Sequence, residues 1–124
     1  MAETILAIVD DLFFLAKIQQ TAKLVGVTVE PIAPEKVAER AAQVPVRALI
    51  LDLNHRSGSA LQTLRAIKAD AKIGAIQVLG FLSHVQTDLA AAAREAGCDV
   101  VLARSTFSQR LPELLKEPAG RVER

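Results

Sequence analysis

The sequence predicts an α/β fold in which a five-stranded parallel sheet is doubly wound, with helices on both faces, and three observations predict it. Five short apolar runs rich in Ile, Val and Leu alternate with longer segments of helical spacing. Most of those runs are continuous, not interleaved with polar residues, as strands covered on both faces require. The chain has 124 residues, room for five βα units in one domain and about half of what an eight-fold barrel needs.

Taken in order, the strands are read over Ile5–Val9, Val27–Ile32, Ala48–Leu51, Ile76–Phe81 and Val100–Leu102. Phe14, Ile18, Ala22 and Val25 carry the first helix, and Gly26 closes it because glycine takes the left-handed conformation cheaply. Val37, Ala41 and Val44 carry the second, with Pro34 suited to its first turn. Leu61, Leu64, Ile67 and Ala71 carry the third. The fourth contains the helix-forming run Leu89–Ala93 and stops at Gly97. Thr106 and Gln109 have capping-box spacing and predict the start of the fifth. The domain is expected to end at residue 116. The segment 117–124, with Pro118, Gly120 and mostly charged neighbours, has nothing to bury and is expected to be a frayed or disordered tail.

Composition narrows the functions available. At 51% hydrophobic residues the chain can build its core without disulfides or a structural metal. Fifteen basic residues against fourteen acidic ones leave a net charge of +1, which gives no reason to expect nucleic acid or an anionic membrane as partner. Cys98 is the single cysteine, and with only His55 and His84 beside it no Cys/His metal cage can form. The stretch Thr4–Val9 is too short to span a bilayer and lacks the flanks of a secretory signal, so a reducing, cytoplasmic setting is expected.

In an open parallel sheet the ligand crevice lies outside the carboxyl ends of the strands. There the sequence places Asp10 and Asp11 after strand one, Asp52 and Asn54 after strand three, Leu82, Ser83 and His84 after strand four, and Arg104 and Ser105 after strand five. Three carboxylates at one edge repel and need a cation. Mg²⁺ is one candidate, since it takes a few carboxylate oxygens and keeps positions open for a phosphate. Arg104, at the end of a strand expected to lie next to the acidic edge, is the other.

Plainer readings stand beside these. Asp10 or Asp11 caps the first helix, and Arg104 forms a structural ion pair. His55 and His84 are solvent-facing loop residues, and Cys98 is a small buried one. Phe14 belongs to the core stripe, leaving Phe13 as an exposed contact for a partner. An enzyme binding a nucleotide or flavin would want a glycine-rich loop where the anionic Asp10-Asp11-Leu12 stands.

Across nearly its whole length the chain resembles the CheY-like receiver domains of two-component response regulators, which have a flavodoxin-like fold. Ile5–Asp11 is similar to the family's first strand and acidic pair, Ala48–Asn54 to the strand bearing the phosphoacceptor aspartate, and Glu95–Asp99 to the glycine turn before the last strand. The resemblance implies that Asp52 accepts a phosphoryl group and that Asp10, Asp11, Asp52 and the Asn54 carbonyl hold Mg²⁺. It implies a signalling protein, not an enzyme, fed by a sensor histidine kinase or phosphotransfer protein and acting through contact with a downstream protein.

Departures accompany the matches. Arg104 replaces the family's lysine, and Ser105 its proline. Leu82 occupies the hydroxyl position, with Ser83 one residue late, so Ser83 and Arg104 are the candidates for phosphate contacts. Val101 replaces an aromatic residue, and the loop His55–Gly58 lacks a proline and sets Arg56 near Asp52, close enough to neutralise it. The alternative expectation is therefore a phosphorylation-independent pseudo-receiver in which Arg104 neutralises the acidic edge.

Overall fold

The computed structural model describes residues 3–83 and 86–116, so His84 and the tail 117–124 lie outside the described residues. The strands are β1 (Thr4–Ile8), β2 (Thr28–Pro31), β3 (Val46–Asp52), β4 (Gln77–Leu82) and β5 (Val100–Ala103). All pair in parallel, in the order β2-β1-β3-β4-β5. The helices are α1 (Leu12–Val25), α2 (Val37–Ala41), α3 (Ala60–Ala69), α4 (Thr87–Glu95), α5 (Arg104–Gln109) and α6 (Leu111–Lys116).

The continuous apolar runs have the cause expected of them. Successive side chains of a strand point to opposite faces. Along β1, Ile5 and Ala7 enter the core with α1, α5 and α6, whereas Leu6 and Ile8 enter a second core with α3 and α4. Both cores are sealed, and Ile5, Leu6, Ala7 and Ile8 are all but completely buried.

The bounds of each strand shift by one or two residues from the sequence reading, and the helix boundaries differ from it for local reasons. A 3-10 turn, Pro34–Lys36, precedes α2, which stops short of Val44. Ala71 falls outside α3 because the Asp70 carboxylate accepts N–H bonds from Lys72 and Ile73 and turns the chain. The last helix begins at Arg104, not Thr106, and no side chain caps it, so the capping-box reading is corrected: Thr106 is already inside the helix. Pro112 has no N–H to continue the ladder, and the helix is interrupted at Arg110 into α5 and α6.

One topological expectation is corrected as well. β5 is an edge strand paired only with β4, so β4 separates it from β3, and both β4 and β3 separate it from β1. Arg104 must therefore cross to the acidic edge by the length of its side chain.

Candidate functional site

The carboxyl ends of β1, β3, β4 and β5 meet at one edge, and each places a predicted residue there. Beneath them lies a cluster of three rings. Phe81 of β4 packs against Phe14 of α1 at 4.8 Å and Phe107 of α5 at 5.1 Å between centroids. Phe81 and Phe107 are fully buried.

Asp11 has two roles at once. Its Oδ1 caps α1 by accepting the N–H groups of Phe13 and Phe14 at 3.0 and 3.1 Å. Its Oδ2 accepts from Arg104 Nη1 at 2.9 Å. Arg104 reaches this position across the ring cluster, its guanidinium 4.6 Å from the Phe14 centroid and 5.4 Å from that of Phe81. Faces of electron-rich rings attract a flat cation, and a guanidinium stacks where an ammonium would not. The Phe14 N–H bond, followed by the Arg104 bond, holds the Asp11 carboxyl below its usual range.

Asp10 has a cation of its own. Its Oδ2 accepts the Arg56 backbone N–H at 2.9 Å and Arg56 Nε at 3.2 Å. Partial burial alone would raise the Asp10 pKa, but the Arg56 N–H bond and the nearby His55 and Arg56 charges together bring it below the usual value. Arg56 thus pairs with Asp10 and not with Asp52, contrary to the sequence expectation.

Asp52 is the innermost of the three, 2% exposed at the last position of β3. Its Oδ1 accepts the Asn54 N–H at 2.9 Å. Burial pushes its pKa up; the Asn54 bond and the Arg104 and His55 charges pull it down, and Asp10 adds to the rise. Asn54 ties two loops together, its Oδ1 accepting the Ser83 backbone N–H at 2.6 Å. Leu82 is buried at the end of β4, and Ser83, the next residue, stands exposed beyond it. A depression lined by Asp10, Asp11, Leu12, Phe13, Asn54 and Arg56 opens at this edge.

Two of the four predicted Mg²⁺ ligands already meet cations of the chain itself. Both Asp11 oxygens are engaged, one by the helix cap and one by Arg104, and Asp10 is engaged by Arg56. Among the described residues, no three His, Cys, Asp or Glu side chains are grouped to hold a metal. Asp10 and Asp11 thus each pair with a guanidinium group, whereas the Asp52 carboxylate accepts the Asn54 N–H.

Other expectations resolve simply. Cys98 is buried and its thiol is pushed up to about 11 by that burial. His55 stands in the β3–α3 loop with Nδ1 3.0 Å from Ser57 Oγ, and Phe13 is 91% exposed. Sequence reasoning missed the rings under Arg104 and the Asn54 bridge. The rings did leave a signal: Phe14 and Phe81 each fall next to a predicted site segment in the sequence.

No family model matches the sequence, and no curated protein matches it. Solved structures do match. A protein described as a response regulator from Chloroflexus aurantiacus J-10-fl is 19% identical, with 98% of this chain and 100% of that chain covered and a TM-score of 0.84. The chemotaxis response regulator CheY4 of Vibrio cholerae is 15% identical over 94% of this chain and 98% of that one, with a TM-score of 0.79. The response regulator Rcp1, in its Mn²⁺-bound form, is 16% identical over 98% and 97%, with a TM-score of 0.77. With its five parallel strands in the order β2-β1-β3-β4-β5, this chain has the CheY-like, flavodoxin-type fold of response-regulator receiver domains.

Proposed function

We propose that this chain is a receiver-type signalling module, not an enzyme, that works in the cytoplasm through protein contact and has its acidic edge neutralised from within by Arg104 and Arg56. The observation that carries this reading is the Arg104–Asp11 ion pair, 2.9 Å long and seated on the Phe14 and Phe81 rings. A receiver that switches by phosphoryl transfer needs a divalent ion to offset the two anions brought together. Here Arg104, a cation of the chain itself, pairs with Asp11, and Arg56 pairs with Asp10. The state of the edge then does not depend on metal or phosphate.

A second reading is favoured by the placement of Asp52. It ends β3 beside Asp10 and Asp11, as a carboxylate must if it is to attack a phosphoryl group delivered by a histidine kinase or phosphotransfer protein with Mg²⁺. That route requires Arg56 and Arg104 to give up both acidic partners, and Ser83 or Arg104 to meet the phosphate.

Intact-protein mass after incubation with a small-molecule phosphodonor and Mg²⁺, beside an Asp52→Asn control, separates the two. The internal-cation reading expects no adduct and no rise in melting temperature with Mg²⁺. A single adduct that needs both Asp52 and the metal overturns it in favour of phosphoryl transfer.

A further inference from the structure

A cavity of about 430 Å³ opens between α2 and α3. One of its walls is a single stripe of α3. Ser59, Gln62, Thr63, Ala66, Ile67 and Asp70 follow one another at helical spacing, so the stripe runs about 16 Å along the axis. The opposite wall comes from α2 and the turn before it. Ala38 and Ala66, one from each wall, are too small to close the gap.

Charge and length define what the cavity can hold. Crossover helices run from the carboxyl edge of a parallel sheet toward its amino edge, so Glu35, in the turn before α2, and Asp70, at the end of α3, lie at opposite ends. Neither carboxylate forms an ion pair among the described residues, and no basic side chain of the described residues lines the cavity. Between the two the floor is apolar, with Val37, Ile67 and Ile73 buried. Gln62 and Thr63 stand part-way along, and neither side chain has a hydrogen bond among the described residues. An extended peptide with two basic residues would match the charges and miss the rest. Each of its residues brings a backbone N–H and C=O that need partners, and the backbone of α3 is already bonded within its own helix.

We infer that this cavity binds a linear aliphatic polyamine. Its terminal ammonium groups meet Glu35 and Asp70, its methylene segments lie on Val37 and Ile67, and an inner nitrogen donates to Thr63 or Gln62. The inference is independent of how the acidic edge is neutralised, because the cavity shares no lining residue with the depression at that edge. A bound polyamine ties the turn before α2 to the end of α3, so binding raises the melting temperature.

Calorimetric titration of the full chain with putrescine, spermidine and spermine, at one ionic strength, tests it. Affinity is expected to rise with length, since only the longer amines reach both carboxylates. Glu35→Gln and Asp70→Asn are each expected to weaken spermine about threefold, and together about tenfold. Asp70→Asn keeps the oxygen that accepts the Lys72 and Ile73 N–H groups, so the turn survives the change. Ala66→Leu leaves both charges and fills the cavity, and is expected to weaken spermine about tenfold. Ala66 is exposed and leucine suits a helix, and a circular-dichroism melt of each unliganded variant confirms that it folds.

Absence of binding overturns the inference, as do affinities that ignore length or that survive both the double charge variant and Ala66→Leu. Binding lost in Asp10→Asn with Asp52→Asn, and kept in Glu35→Gln with Asp70→Asn, overturns it by assigning the amine to the acidic edge. A Lys-Ala-Ala-Ala-Lys peptide that binds more tightly than spermine overturns it as well, giving the cavity to a segment of a partner protein.

Discussion

Each end of the sheet carries an ion pair, and the two are built to opposite specifications. At the amino ends of β4 and β5, Lys68 Nζ donates to Asp99 Oδ2 at 3.0 Å, to the Ile76 carbonyl at 2.9 Å and to the Gly74 carbonyl at 3.4 Å. Asp99 Oδ2 also accepts the Val78 N–H at 2.8 Å. An ammonium has three donors, and all three are used. At the carboxyl ends, Arg104 has five donors and makes one side-chain hydrogen bond among the described residues, the rest of its contact being with ring faces. A pair that only holds loops together saturates its cation. A pair at a functional edge leaves donors of its cation in hand.

That difference sets the sizes of the expected effects. Asp99→Ala removes the acceptor shared by Lys68 and the Val78 N–H, leaving a mostly buried ammonium with carbonyl partners alone. The pair is 19% and 32% exposed, so solvent repairs little, and the loss should be about 2 kcal/mol. For a chain of 124 residues that is a fall in Tm of about 8 °C by far-UV circular dichroism. Arg104→Ala comes next. Asp11 keeps its capping bonds and gains water, so the fall should be smaller, about 3 °C, and should shrink in high salt. If Arg104→Ala proves the more costly of the two, the saturation argument is wrong. Under the internal-cation reading, Arg104→Ala combined with Arg56→Ala should also make the protein's Tm respond to Mg²⁺, which the wild type should not.

The fold was legible because its evidence is distributed. Several continuous apolar runs reported the same two-sided burial, and losing one would not have changed the conclusion. Helix ends were legible only where one residue determines them. Gly26 does, at φ +81° and with its N–H bonded to the Ala22 and Lys23 carbonyls. The start at Thr106 was misread because a capping-box pattern is local, whereas the chain is already helical from Arg104. At the site, the sequence named Asp10, Asp11, Asp52, Asn54 and Arg104 from strand ends alone. It could not assign partners, because the choice of Arg56 for Asp10 and Arg104 for Asp11 depends on how far each side chain reaches across neighbouring strands. The platform of Phe14 and Phe81 that aims Arg104 is likewise a contact between elements distant in sequence.

The smallest effect is also the most diagnostic, because the three carboxylates of one edge should respond to pH with opposite signs. Asp10 and Asp11 have pKa values lowered in the folded protein, so their contribution is fully present above the unfolded value of 3.8 and is lost as pH falls through the lowered values. Asp52 has its pKa raised by burial, so between 3.8 and that raised value the folded state binds more protons than the unfolded one, and stability falls as pH climbs through the window. An ionised Asp52 is therefore a cost at neutral pH. Asp52→Asn, which keeps the shape and an acceptor for the Asn54 N–H, should raise Tm by a degree or two at pH 7 and by nothing below pH 3.8. Melts of wild type and variant between pH 3 and pH 8 measure it. Equal gaps at every pH would mean that the charge of Asp52 is already balanced at the edge, by the cations drawn toward it, and that the comparison between a saturated and an open pair must be redrawn with Asp52 on the saturated side.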